Sequence, residues 1–529
     1  MKSTSLAIAA ALGALTAFPV LALSFLGEQL AGLPFLPFDL FDWMARVLPG
    51  GLLTFGIDTL VGLINLLQIG PTSVVAKAAE QGLALLLFVG IGAAFGLLLH
   101  VLGRRKPDQL SSYGVRGGAL LFFGLWLISA SLGSARASVL VSGLWLALLL
   151  VGWGWVLAWL IQRAGPALAA EPTSPISRRA FIQITAGGAG AISVGAVGLG
   201  RLLGQPEAAA PGLVASNSAG TVDSPPDDVL AARIAPAPGT RAEITPNEAF
   251  YRIDINTRKP QLDPASWRLE LGGLVDSPLS LTLDELRAMP SVSYYHTLSC
   301  ISNPVGGDLI STTRWTGVRA MDVLELAGMQ SSAQELFIEA ADGFYESVEM
   351  ADLLDERTIL AYDMNGTPLP HEHGYPLRII IPNRYGMKQP KWIVNMEVLD
   401  HEGEGYWVER GWSAEAFVRL TSVVDAVARE AVDETSGTLP VGGIAYAGAA
   451  GIGRVEVQVD DEPWAVTQLR APALSGLTWV QWRFDWPVVS GRHSFRVRAT
   501  DVSGNPQIET PEGVRPDGAT GLHDFKITI

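Results

Sequence analysis

Six nearly uncharged stretches crowd the first 200 residues, at about 5–26, 50–69, 80–103, 117–135, 138–162 and 180–200. Each approaches the roughly 20 residues that a helix needs to cross a hydrocarbon core. One such stretch alone reads equally well as a buried core helix, but six in succession make residues 1–203 an α-helical transmembrane bundle. Asp58 interrupts the second stretch, and the sixth is rich in Gly and Ala. Charge divides the chain in the same place. The first 200 residues hold 11 Lys and Arg against 7 Asp and Glu, and the rest hold 26 against 45. An acidic half of that size argues against nucleic-acid binding.

Basic residues give the bundle a direction. Arg104, Arg105, Lys106 and Arg116 lie between the third and fourth stretches, and Arg163, Arg178 and Arg179 between the fifth and sixth. Positively charged short loops stay in the cytoplasm, so the sixth stretch leads outward and everything after residue 200 is expected outside it. Ser177-Arg178-Arg179-Ala180-Phe181-Ile182 resembles a twin-arginine export signal, a route for folded proteins that often carry a cofactor; two ordinary cytoplasmic anchors are the other reading. His100 is the only histidine in the block, which leaves no pair of axial histidines for a haem.

Beyond the bundle, residues 204–244 are rich in Ala, Pro, Gly, Ser and Asp, a composition that favours an extended linker. Residues 245–412 mix short strands and helices. Trp267–Leu271, Leu377–Ile381 and Trp392–Val398 read as strands, Thr282–Arg287 as a capped helix and Val318–Ala327 as another helix. That is an α+β domain. Over 413–529 the helices stop, and period-two runs such as Ile452–Asp460, Trp479–Phe484 and His493–Thr500 alternate with Asp, Gly and Pro turns, as in a β-sandwich.

Chemistry concentrates around Cys300, the single cysteine of the chain. One thiol excludes an internal disulfide, a four-cysteine zinc site, a cysteine-bound iron–sulfur cluster and a Cys-x-x-Cys-His haem attachment. An inert buried thiol, a nucleophile activated by His296, or one thiolate ligand to a soft metal remain. His371 and His373 share a strand face and suggest a zinc pair, although no third ligand is evident.

A series of segments carries a resemblance. In order they are Phe250-Tyr251-Arg252, Cys300-x-x-Asn303, Arg314-Trp315-x-Gly317, Met364-Asn365-Gly366-x-Pro368, His373-Gly374-x-Pro376-x-Arg378 and Tyr385-Gly386-x-Lys388-x-x-Lys391-Trp392. The set resembles the molybdopterin-binding domain of the sulfite oxidase family, and 413–529 resembles that family's immunoglobulin-like dimerisation domain. The resemblance implies that Cys300 binds molybdenum and that Tyr251, Asp342, His373, Arg378, Lys388 and Lys391 contact the molybdopterin cofactor. It also implies that Tyr345 and Arg252 line the substrate pocket. No haem is expected in this chain. A small substrate (sulfite, sulfoxide or oxyanion), an external electron carrier such as a cytochrome or quinone, the membrane and a homodimer are the partners it points to. One departure stands out: Pro304-Val-Gly-Gly follows the cysteine segment where sulfite oxidases place an arginine, leaving Arg252 or Arg314 to meet an anion. The alternatives are a hydrolase with Cys300 as nucleophile, or a non-catalytic membrane-bound binding module.

Overall fold

The computed structural model describes residues 5–67, 70–133, 135–168, 178–203, 224–432 and 437–529. They form two compact units. The first comprises the described parts of 1–48, 75–208 and 255–258, and the second those of 49–74, 209–254 and 259–529.

The first unit is helical. Among the described residues, five helices are long and apolar enough to cross a membrane: Leu6–Ala31, Thr72–Arg105, Pro107–Leu132, Val139–Ala164 and Gln183–Leu203. Small residues let them pack closely. A Cβ on Gly13 would stand 2.0 Å from the Gly92 carbonyl oxygen, and one on Gly114 2.3 Å from that of Gly154. The Trp153 indole donates to Thr16 Oγ1 at 2.8 Å, tying two helices together inside the bundle.

The 50–69 stretch forms the helix Gly50–Leu67, which groups with the second unit. Asp58 pairs there with Arg515 at 3.2 Å. A lone carboxylate at hydrocarbon depth costs about 3 kcal/mol, so an apolar helix that carries one gains from such a partner. The twin-arginine segment begins at Ser177, outside the described residues.

In the second unit, strands β1 (Leu269–Gly273), β2 (Leu279–Leu281), β3 (Ser291–Ser299), β4 (Ile310–Arg319) and β5 (Glu335–Ala340) come first. They are followed by β6 (Tyr345–Glu349), β7 (Ile359–Met364), β8 (Thr367–Pro368), β9 (Arg378–Ile380) and β10 (Ile393–Leu399). Two mixed-length sheets result, ordered β2-β1-β10-β5-β6 and β3-β4-β7-β8, with β9 on β7. Short helices join them. Thr282 caps Leu283–Ala288 through a reciprocal bond with Glu285, as its sequence predicts. One apolar core unites the two sheets, with Trp315, Leu336, Ile338, Leu360 and Ile393 fully buried.

The tail carries β11 (Thr421–Val427), β12 (Thr438–Tyr446), β13 (Ile452–Val459) and β14 (Ala465–Val466). It ends with β15 (Gln468–Leu469), β16 (Val480–Pro487), β17 (Arg492–Asp501) and β18 (His523–Thr528). Two four-stranded antiparallel sheets, β11-β12-β16-β15 and β14-β13-β17-β18, enclose a core of Val441, Trp482, Val457, Phe495 and Val497. The alternating pattern of the sequence is the cause: one face of each strand meets the other sheet.

The expected linker departs from a free tether over its last residues; 204–223 lie outside the described ones. Glu243 takes Arg233 at 2.6 Å and Arg470 at 3.3 Å, its carbonyl accepts from the Trp479 indole at 3.0 Å, and Arg241 pairs with Asp425 at 2.6 Å. Composition alone did not reveal these charge partners, because they lie some 180 to 240 residues away in sequence. Glu243→Gln should lower stability by about 1–2 kcal/mol. Limited proteolysis should then cut within 233–244 sooner than in the unchanged chain; equal cutting would contradict the pinning.

Candidate functional site

Cys300 is placed by a hairpin. β3 and β4 pair antiparallel without interruption from Ser291↔Val318 to Ser299↔Ile310, and Cys300 follows at the start of the loop that joins them. Its N–H donates to the Leu309 carbonyl at 2.9 Å, while its own carbonyl accepts from the Asn303 N–H at 3.1 Å. The Asn303 side chain accepts from the Leu309 N–H at 3.0 Å. Asn303 is thus the closure of the loop that bears the cysteine. Three residues upstream, Thr297 is held from the tail: its carbonyl accepts from the Tyr446 hydroxyl at 2.6 Å and its hydroxyl accepts from the Trp479 N–H at 2.9 Å.

The thiol is buried, with Ser302 Oγ 3.1 Å from Sγ. Burial pushes its pKa up, and the Ser302 contact only partly opposes this. Such a thiol gives its thiolate most readily to a metal or a strong cation. Tyr251 lies in its field: burial first, then Cys300, hold the phenol well above its ordinary range. The Tyr251 N–H donates to Ser311 Oγ at 3.2 Å, and its ring stacks on Phe250, which meets Trp315 and His373 edge-on.

Two cations stand next to this group. Arg378 and Lys391 face one another across an antiparallel bridge, so their side chains rise on the same side. Gly374 makes room for them. It adopts φ +113°, and a Cβ there would come within 3.1 Å of Lys391 Cβ and 3.2 Å of Arg378 Cβ. Arg378 is 3% exposed, donates from Nη1 to the His373 carbonyl at 3.1 Å and lies 4.8 Å over the Trp315 ring. No carboxylate pairs with it among the described residues, and burial holds its pKa down to about 10. Lys391 donates to the carbonyls of Ile253 at 3.0 Å and Glu372 at 3.3 Å, with Asp254 at 3.6 Å. Burial, opposed by Asp254, lowers it to about 8.

His373 bonds through Nε2 to the Asn247 carbonyl at 2.9 Å, which places the proton on that nitrogen. Burial, then Lys391, lower its pKa to about 3, so the ring is neutral near pH 7. Asp342 accepts from the Phe344 N–H at 3.0 Å, and its charge is felt at Lys391. Arg252 pairs with Asp254 at 3.2 Å. Asp254, which serves Arg252 and Lys391, was not singled out from sequence; its spacing of two from Arg252 is the only hint.

Two expected site residues are engaged elsewhere. Lys388 donates to Glu346 Oε1 and the Ser347 carbonyl, each at 2.7 Å, in a buried pair, so it is not an uncommitted cation like Arg378. Tyr345 donates its hydroxyl to Glu409 at 2.6 Å and packs against Tyr406 and Phe337. Burial, then Glu409, push its phenol up to about 12. The tyrosine whose ionisation does feel Cys300, besides Tyr251, is Tyr385, whose oxygen accepts from the Arg419 N–H at 3.1 Å. His296 is fully buried, neither ring nitrogen has a hydrogen-bond partner, and burial drives its pKa to about 3. A hydrogen-bonded Cys–His pair is therefore not formed. No third metal-ligating side chain joins His371 and His373 among the described residues.

Comparison with known proteins bears directly on this arrangement. The family described as oxidoreductase molybdopterin binding domain matches residues 256–407. An uncharacterized oxidoreductase of Bacillus subtilis, YuiH, is 33% identical over 150 residues, 28% of this chain and 74% of its own length. The chain belongs to the sulfite oxidase family. Mitochondrial sulfite oxidase of Homo sapiens is 29% identical over 319 residues, 51% of this chain and 58% of its own length. The chain thus spans just over half the length of the mitochondrial sulfite oxidases it matches. The solved structure of the sulfane dehydrogenase SoxCD from Paracoccus pantotrophus aligns at 20% identity over 57% of this chain and 83% of that one, with a TM-score of 0.47.

The residues fit the family's cofactor. Buried Arg378 and half-buried Lys391, with Asp254 the one carboxylate in ion-pair reach of Lys391 among the described residues, leave positive charge that an anionic phosphate would neutralise. A buried thiol raised in pKa would suit a single protein ligand to a metal that the rest of the group holds. The depressed Lys391 makes a test without cofactor. A folded-state pKa below the unfolded one means that charged Lys391 costs stability below about pH 8, a cost relieved as pH rises toward 10.5. Lys391→Met should stabilise the cofactor-free chain below pH 8, and its advantage in thermal midpoint should fade between pH 8 and 10.5. A constant advantage would mean that folding does not lower the Lys391 pKa.

Proposed function

We propose that the chain is a membrane-anchored molybdenum-cofactor oxidoreductase acting on a small oxygen-bearing substrate: sulfite, a sulfoxide or a related oxyanion. The observation that carries this is the grouping of Cys300, Tyr251, Arg378 and Lys391, with the two cations bridged side by side and lacking matched carboxylates. When bound, the cofactor would supply a metal able to exchange an oxygen atom and two electrons. Cys300 would give that metal its protein ligand. Arg378 and Lys391 would hold the phosphate, and neutral His373, bonded to Asn247, would orient a polar edge without adding charge. Asp342 and Tyr251 complete the cofactor contacts in this reading, and Lys388 would assist only by keeping Glu346 neutralised. Arg252 and the Tyr345–Glu409 pair would border the substrate.

The five apolar helices support a multi-pass anchor. With basic loops inside, five crossings put the start of the chain in the cytoplasm, where Lys2 fits, and the second unit outside. One histidine in 203 residues offers no two-histidine haem, so electrons would pass to an external cytochrome or quinone. The tail's two sheets resemble an immunoglobulin-like dimerisation domain, which makes a homodimer the proposed assembly. A thiol hydrolase is disfavoured by the unpartnered, neutral His296.

Elemental and pterin analysis of protein from a cofactor-competent host tests the proposal. The unchanged chain should carry about one molybdenum and one pterin, and Cys300→Ser should keep the pterin while its molybdenum paramagnetic signal changes or disappears. Metal-free, pterin-free wild type would overturn it.

A further inference from the structure

The buried pair of Lys388 and Glu346 lies wholly inside the second unit, and its neutralisation of Glu346 has a mechanical side. Lys388 Nζ donates to Glu346 Oε1 and to the Ser347 carbonyl, each at 2.7 Å, and the same carboxylate oxygen accepts from the Ser347 N–H at 3.1 Å. Glu346 is fully buried on β6, and Lys388 is 6% exposed. Gly405 leaves room for the carboxylate, since a Cβ there would collide with it. A buried ion pair often stabilises a fold no better than apolar residues of the same size. Stability alone therefore does not account for it.

What the pair fixes is a turn. Gly386–Lys388 is a single helical turn, closed by the Lys388 N–H donating to the Tyr385 carbonyl at 3.0 Å. One side of this turn is tied through Lys388 to β6, the edge of the first sheet. The other side meets β3 of the second sheet. A Cβ on Gly386 would stand 2.9 Å from Tyr251 Oη and 3.5 Å from the Ser299 carbonyl oxygen, so the Gly386 backbone abuts both the phenol and the residue just before Cys300. Tyr385, which opens the turn, donates its N–H to the Ala416 carbonyl at 2.8 Å and accepts from the Arg419 N–H at 3.1 Å.

We propose that Lys388 and Glu346 are positioning residues: their pair pins the turn Gly386–Lys388 to β6, and the pinned turn holds Tyr251 and the Ser299–Cys300 backbone in register with it. Lys388 then serves the site through Glu346, without touching the cofactor. The proposal rests on the molybdopterin reading for what Tyr251 and Cys300 serve.

Cys300 is the single thiol of the chain, so a thiol reagent reports on it alone. The full chain in nanodiscs, made in a host that lacks the pterin, is treated with iodoacetamide under native conditions. Lys388→Met/Glu346→Leu replaces the pair by apolar side chains and should keep the thermal midpoint close to that of the unchanged chain. Alkylation of Cys300 should nonetheless quicken about tenfold, with faster amide exchange over 385–389 and none over β12. Glu346→Gln, which keeps an acceptor for Lys388, should quicken alkylation about threefold and decides the matter should the double variant fail to fold. Leu336→Ala, in the core of the first sheet, is the control for lost stability and should change the rate less than twofold. In protein from a cofactor-competent host, pterin release should quicken in step with alkylation. Unchanged alkylation in the folded variants would overturn the proposal, as would an equal rise in Leu336→Ala. Wild type that never carries pterin would instead overturn the molybdopterin reading, and alkylation of the pterin-free chain would still decide whether the pair holds the turn.

Discussion

Positive charge inside the second unit is the constraint around which the site is arranged. Arg378 and Lys391 rise side by side from paired backbone, and both have lost most contact with water. Burying an ammonium or guanidinium without a counter-charge is expensive. The protein meets part of that cost locally, through the carbonyls of His373, Ile253 and Glu372, the indoles of Trp315 and Trp392, and the single carboxylate of Asp254. What it leaves unmet is the affinity for an anion. Neutral His373 follows from the same field, since a third cation beside Lys391 would have nothing to balance it.

Much of this organisation could be read from the chain, and the failures have physical causes. The capping box at Thr282 and the alternating strands of the tail are local signals, and both appear as expected. The central hairpin β3–β4 gives no such signal: β4 is buried on both faces along nearly its whole length, so its residues do not alternate. Cys300, Tyr251, Arg378 and Lys391 were legible as an ordered set of motifs. Lys388 and Tyr345 belong to the same motifs, yet their partners Glu346 and Glu409 appear only when the chain is folded. Sequence spacing names residue types; it does not say which acid a base has already taken.

The helix Gly50–Leu67 makes the same point for the membrane. Its hydropathy alone is that of a crossing, but Asp58 needs a partner, and Arg515 provides one at the far end of the chain. Asp58 is a charge within an apolar helix that finds its partner inside the second unit. The ion pair matters there because a lone charge has no acceptable place in an apolar setting.

The hold on Thr297 has a wider meaning. Tyr446 and Trp479 come from the tail sheets or their edge, and between them they occupy both the carbonyl and the hydroxyl of a residue three places before the cysteine. The backbone that leads into Cys300 is therefore referenced to the sandwich as well as to its own hairpin. Drift in the sandwich over evolutionary time would thus shift the thiol without altering any residue that surrounds it.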